Sequence, residues 1–115
     1  MPTTLHDREQ AFEAKFARDE ELRFLVTARR DKLFARWAAS RLALPERDTE
    51  ALVRAVLAIP GGKGHDEAVL KHIAGVLSQR GDAASTSELS AALERCGDEA
   101  RQQLLQAPPP GFEPT

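Results

Sequence analysis

The chain has 115 residues, 42% apolar and 30% charged, with a net charge of −2, which is enough for one domain but leaves no room for a second core. Its only cysteine, Cys96, excludes an intramolecular disulfide and a zinc site built from thiolates. No stretch approaches the ~20 consecutive apolar residues that cross a bilayer, and the charged N-terminus lacks the apolar core of a signal peptide, so the expected location is the cytoplasm.

Residues 1–4 are expected to fray, and a helical pattern begins near Leu5 or Asp7. At ~100° per residue, Leu5, Phe12 and Phe16 form one stripe. Leu22, Leu25, Val26, Leu33, Trp37 and Leu44 form another, rotated by roughly 80°. The charged run Arg18-Asp19-Glu20-Glu21 separates the two. This change of phase predicts an N-terminal arm whose apolar face is distinct from the one packed in the core. A continuous helix over residues 4–42 would run about 58 Å at 1.5 Å per residue, against about 20 to 30 Å for the later helices, so the arm should overhang them. Pattern alone leaves Phe12 and Phe16 open between packing within the chain and binding a partner.

Leu44-Pro45 stops the first helix, because proline disfavours helical geometry in the residue before it. A second helix fits residues 46–59, with Leu52, Val53, Val56 and Leu57 on its apolar face, and Pro60-Gly61-Gly62 ends it. The third starts near Asp66 and presents Val69, Leu70, Ile73, Val76 and Leu77, closing at Arg80-Gly81 with a glycine at the C′ position. The fourth opens at Ser85, with Glu88 at capping-box spacing. Leu89, Leu93, Cys96, Ala100 and Leu104 follow as the cleanest stripe in the chain, and Cys96 reads as a small buried hydrophobe. Ala107-Pro108-Pro109-Pro110-Gly111 begins a polyproline-like tail.

These elements predict an all-α fold. Residues 1–21 form a projecting or mobile helical arm, 22–107 a four-helix bundle, and 108–115 a disordered Pro-rich tail. No strand is expected, because no segment sustains period-2 alternation.

Few residues suggest chemistry. Gly61-Gly62-Lys63-Gly64 lacks the preceding strand and the Ser or Thr after the lysine that a phosphate-binding loop needs, which makes it a flexible connection with at most weak anion binding near Lys63. His6, His65 and His72 are too dispersed for a metal box and read as surface or loop histidines. Acid pairs such as Asp19 with Glu20 and Asp98 with Glu99 point to different sides of their helices and read as solvated charge. No catalytic, cofactor or metal site is expected, and an enzyme is not. Residues 22–44 do hold Arg23, Arg29, Arg30, Lys32, Arg36 and Arg41 against the single acid Asp31, a basic face suited to an acidic partner.

One resemblance is more specific. Residues 7–17, Asp-Arg-Glu-Gln-Ala-Phe-Glu-Ala-Lys-Phe-Ala, followed by Asp19-Glu20-Glu21-Leu22, Ala28-Arg29-Arg30-Asp31-Lys32-Leu33 and Trp37-Ala38-Ala39, closely resemble the zeta subunit of the alphaproteobacterial F-type ATP synthase. His65-Asp66-Glu67-Ala68-Val69-Leu70-Lys71 and the Arg80-Gly81 helix end are also similar, so the likeness covers about residues 5–105. It implies a four-helix bundle that inhibits F1-ATPase by inserting its N-terminal segment at a catalytic interface between alpha and beta subunits, near the gamma rotor stalk. Leu5, Phe12 and Phe16 would anchor that segment, and Arg8, Glu9, Glu13 and Lys15 would set its register.

The implied protein is a monomer when free, without cofactors, and meets the inner membrane only through F1. The alternative is a small nucleic-acid-binding module using the basic face of residues 22–44. It lacks aromatic interleaving and a reading motif, so nucleic acid is not the expected partner.

Overall fold

The computed structural model describes the backbone of residues 5–107 and the side chains of residues 20–107; the tail from Pro108 to Thr115 lies outside the described residues. Four helices follow in order: α1 (Leu5–Arg41), α2 (Glu46–Leu57), α3 (His65–Gln79) and α4 (Thr86–Gln106), with no strand among the described residues. At 37 residues, α1 runs without interruption through the charged segment at Arg18 to Glu21. It forms the spine of the bundle, packing along both α2 and α4 and more lightly against α3, which also meets α4.

The helix ends follow from local chemistry. After α1, the Ala43 N–H bonds the Ser40 carbonyl at 3.0 Å and the Leu44 N–H bonds the Ala39 carbonyl at 2.9 Å. This Schellman closure places Ala43 in the left-handed region at φ 53°. The same closure ends α3, where Gly81 at φ 77° takes the left-handed position as the sequence predicts and the Asp82 N–H reaches the Leu77 carbonyl at 2.9 Å. Ser85 caps α4, its hydroxyl accepting from the Glu88 N–H at 3.1 Å. The Glu88 carboxylate takes no reciprocal part, because it bonds Arg41 at 2.5 Å instead. α2 is shorter than expected, ending at Leu57 rather than residue 59.

The core gathers Phe34, Ala35, Ala38 and Ala39 of α1 with Leu52, Val53 and Val56 of α2, Val69, Ile73 and Leu77 of α3, and Leu89, Ala92, Leu93 and Cys96 of α4. A smaller cluster joins Val26 to Ala100 and Leu104, with Leu22, Leu25 and Leu33 half-buried around it. The α4 stripe is buried as its spacing predicts, and burial pushes the Cys96 thiol pKa up. Leu57 departs from its predicted place and stands exposed, while Thr49 takes an inward position, its hydroxyl bonded to the Pro45 carbonyl at 3.1 Å.

The larger correction concerns α1. Of its predicted core stripe only Val26 is buried, with Leu22, Leu25, Leu33, Trp37 and Leu44 half-buried at the flank. The largest fully buried side chain among the described residues of the helix is instead Phe34. A helix at the centre of a bundle buries two sides, here one against α2 and one against α4, so no single stripe marks its core face. Phe34 also stands 18 residues after Phe16, about five full turns at 3.6 residues per turn, and so shares the azimuth of the N-terminal stripe. The side chains of the N-terminal stripe itself, and so the predicted arm over residues 1–21, lie outside the described residues.

Candidate functional site

The residues predicted to bind a partner, Leu5, Arg8, Glu9, Phe12, Glu13, Lys15 and Phe16, fall within the span of α1, and their side chains lie outside the described residues. The root of that segment is described. Glu20 and Glu21 are exposed, and Leu22 packs beside Leu25 and Val26 against the last turns of α4. Arg29 Nη1 fixes the same helix pair by donating to Gln103 Oε1 at 2.9 Å. Phe24, on the opposite side, is 75% exposed.

Two open grooves flank this root. One, about 720 Å³, has Leu22, Val26, Leu70 and Leu93 as apolar lining, with Arg30 and Asp66 among its charged groups. The other, about 430 Å³, runs from Phe24 and Ala28 to Leu57 and Ile59, with Asp31 and His65 also lining it.

The basic face does not present the free positive surface that its composition suggests. Arg30 Nη2 lies 2.9 Å from Asp31 Oδ1 and 2.8 Å from Asp66 Oδ1. Arg36 pairs with Glu46 at 3.6 Å. Arg41 holds Asp82 through Nε at 2.8 Å and Nη2 at 3.1 Å, and its guanidinium also lies 5.6 Å from the Trp37 ring centroid. With Arg29 on Gln103, four of the six cations serve contacts within the bundle. Arg23 and Lys32 remain exposed. Asp66, predicted as an N-terminal helix acid, is held below the usual carboxylate range first by its bond to Arg30.

His65 also departs from its expected surface or loop setting. It is the first residue of α3, following Gly64 in the left-handed conformation, and its side chain is only 11% exposed. Nδ1 lies 2.9 Å from the Pro60 carbonyl and Nε2 lies 2.6 Å from Asp31 Oδ2. The bond to Asp31 leads the influences that raise the His65 pKa above its ordinary value. Asp31 itself is almost fully buried. Its position three and four residues before Phe34 and Ala35 was the available signal, since an acid on a buried helical face must find a partner.

No curated protein and no solved structure matches the chain. The sequence model of one family, ATPase inhibitor subunit zeta, matches residues 2–103, taking in α1, α2 and α3 whole and α4 as far as its last turn. A match over that much of the chain establishes that the protein belongs to the ATPase inhibitor subunit zeta family.

Proposed function

We propose that the protein is a non-enzymatic regulator that binds F1-ATPase and blocks ATP hydrolysis by inserting residues 1–21 at a catalytic alpha/beta interface near the gamma stalk. The observation that carries this reading is the extent of the family match, which begins at residue 2 and so includes the arm as well as the bundle. Insertion of an amphipathic helix into a protein groove draws its affinity from a few apolar anchors, and Leu5, Phe12 and Phe16 are those available on the arm. Arg8, Glu9, Glu13 and Lys15 select orientation. The bundle, rooted through Leu22, Leu25 and Val26 on α4, remains outside as the body that carries the arm.

Binding to F1 places the protein at the inner membrane indirectly; no helix among the described residues is long and apolar enough to cross it. Nucleic acid fits less well, because most of the basic face is already paired within the fold.

The test is an ATPase assay on F1 from the same organism with increasing amounts of the protein. Saturable loss of hydrolysis is expected, and undiminished hydrolysis at saturation rejects the proposal.

A further inference from the structure

Both ring nitrogens of His65 face oxygens that can only accept: Nδ1 the Pro60 carbonyl at 2.9 Å, Nε2 the Asp31 carboxylate at 2.6 Å. A neutral imidazole carries one N–H, so it can satisfy only one of them; satisfying both takes the imidazolium. The other Asp31 oxygen already accepts from Arg30 Nε at 3.0 Å, which leaves the carboxylate as acceptor and the ring as double donor. These bonds tie together three separate pieces of chain: α1 through Asp31, the connection after α2 through Pro60, and the first residue of α3.

We propose that His65 is a pH-sensitive latch. As imidazolium it clamps the Pro60 carbonyl and the Asp31 carboxylate at once. Loss of its second proton to solvent frees one of the two, loosening the 58–64 connection and the first turn of α3 from α1. This device lies in the bundle and does not depend on the proposed action at F1.

The charges around the ring are few. Asp31 and Arg30 come from α1, with Arg23 on the wall of the same groove; Asp66 and Glu67 lie on α3, and Lys63 on the connection. α2 brings only apolar Leu57 to this groove. The bond to Asp31 leads, and with the Pro60 carbonyl it outweighs the opposing effects of burial and, last, of Arg30, so the folded-state pKa is raised. Stability from the latch is therefore fully present below the unfolded histidine value near ~6.5 and is lost as pH rises through the higher folded value.

The test uses the full chain. An NMR titration of the His65 ring should place its pKa above the ordinary histidine value, and the urea midpoint should fall as pH is raised from about 6.5 to 9. His65→Gln should flatten that fall, whereas His72→Gln should leave it intact. Titration of His65 at or below the ordinary value overturns the proposal, as does an unchanged fall in His65→Gln. If that variant does not fold, the titration of the unaltered chain decides alone.

Discussion

Phe34 lies flat against Trp37, with ring centroids 5.6 Å apart and planes 5° from parallel. The pair occupies successive turns of α1, yet the two rings sit in different surroundings: Phe34 is wholly enclosed, while Trp37 is half-buried with Arg41 beside it. Phe34→Ala should therefore cost about 3 to 5 kcal/mol, the usual range for emptying a core aromatic site. Trp37→Ala should cost roughly half as much, since part of the indole is already in water. Urea unfolding of the two variants measures the order, and an equal or larger loss at Trp37 would contradict this account of the core.

Ala43 occupies the left-handed position that ends α1, where Gly81 stands at the equivalent place after α3. A side chain in that conformation costs about 1 to 2 kcal/mol, partly offset in glycine by its greater freedom when unfolded. Ala43→Gly should raise stability by about 1 kcal/mol, or some 4 to 8 °C in Tm for a domain of this size. Calorimetry should register the gain; a lower melting temperature would mean that the closure is not under strain.

The pair of hydrogen bonds that Arg41 donates to Asp82 ties the end of α1 to the segment between α3 and α4. Arg41 holds the Asp82 carboxyl below its ordinary value, chiefly through their hydrogen bonds. A depressed folded pKa contributes stability above the unfolded value near 3.9 that disappears as pH falls through the folded value. The Tm difference between the natural chain and Asp82→Asn should thus be present at neutral pH and vanish in acid. Added salt should shrink it as well, because the pair is partly exposed. A difference that persists unchanged at pH 2 would remove the ion pair as its cause.

At F1, replacing Phe12 and Phe16 together with alanine should weaken inhibition by over a hundredfold, the consequence of losing roughly 3 kcal/mol or more from two aromatic anchors. The circular dichroism and cooperative unfolding of the variant should match those of the natural chain. A double variant that melts early but inhibits normally when folded would make these rings part of the core, a possibility sharpened by the azimuth they share with Phe34.

Much of the fold was legible because its boundaries rest on local chemistry: Pro45, Pro60-Gly61-Gly62, Gly81 and Ser85 each act through their own backbone or side chain. The α4 stripe was equally plain, since α4 offers the core a single face. α1 was harder to read. It enters the main core through Ala35, Ala38 and Ala39 beside Phe34, and alanines add little amplitude to a hydrophobic pattern even though they permit close helix approach. Asp31 and His65 stand 34 positions apart, and neither one's sequence neighbourhood names the other. The basic run misled for the same reason, because apart from Asp31 its acidic partners come from α2, α3, α4 and the segment between α3 and α4.

The pairing of α1 with α4 bears on how the protein is made. Arg29 and Gln103, joined across the two helices, are separated by 74 positions, and Val26 finds Ala100 and Leu104 at the far end of the chain. On the ribosome, α1 emerges first and must wait for the last helix before that side is covered. Until then Val26, Leu33 and their neighbours are open to other nascent chains or to chaperones. Termination anywhere before α4 would leave the flank of α1 that carries Val26 without its cover from Ala100 and Leu104.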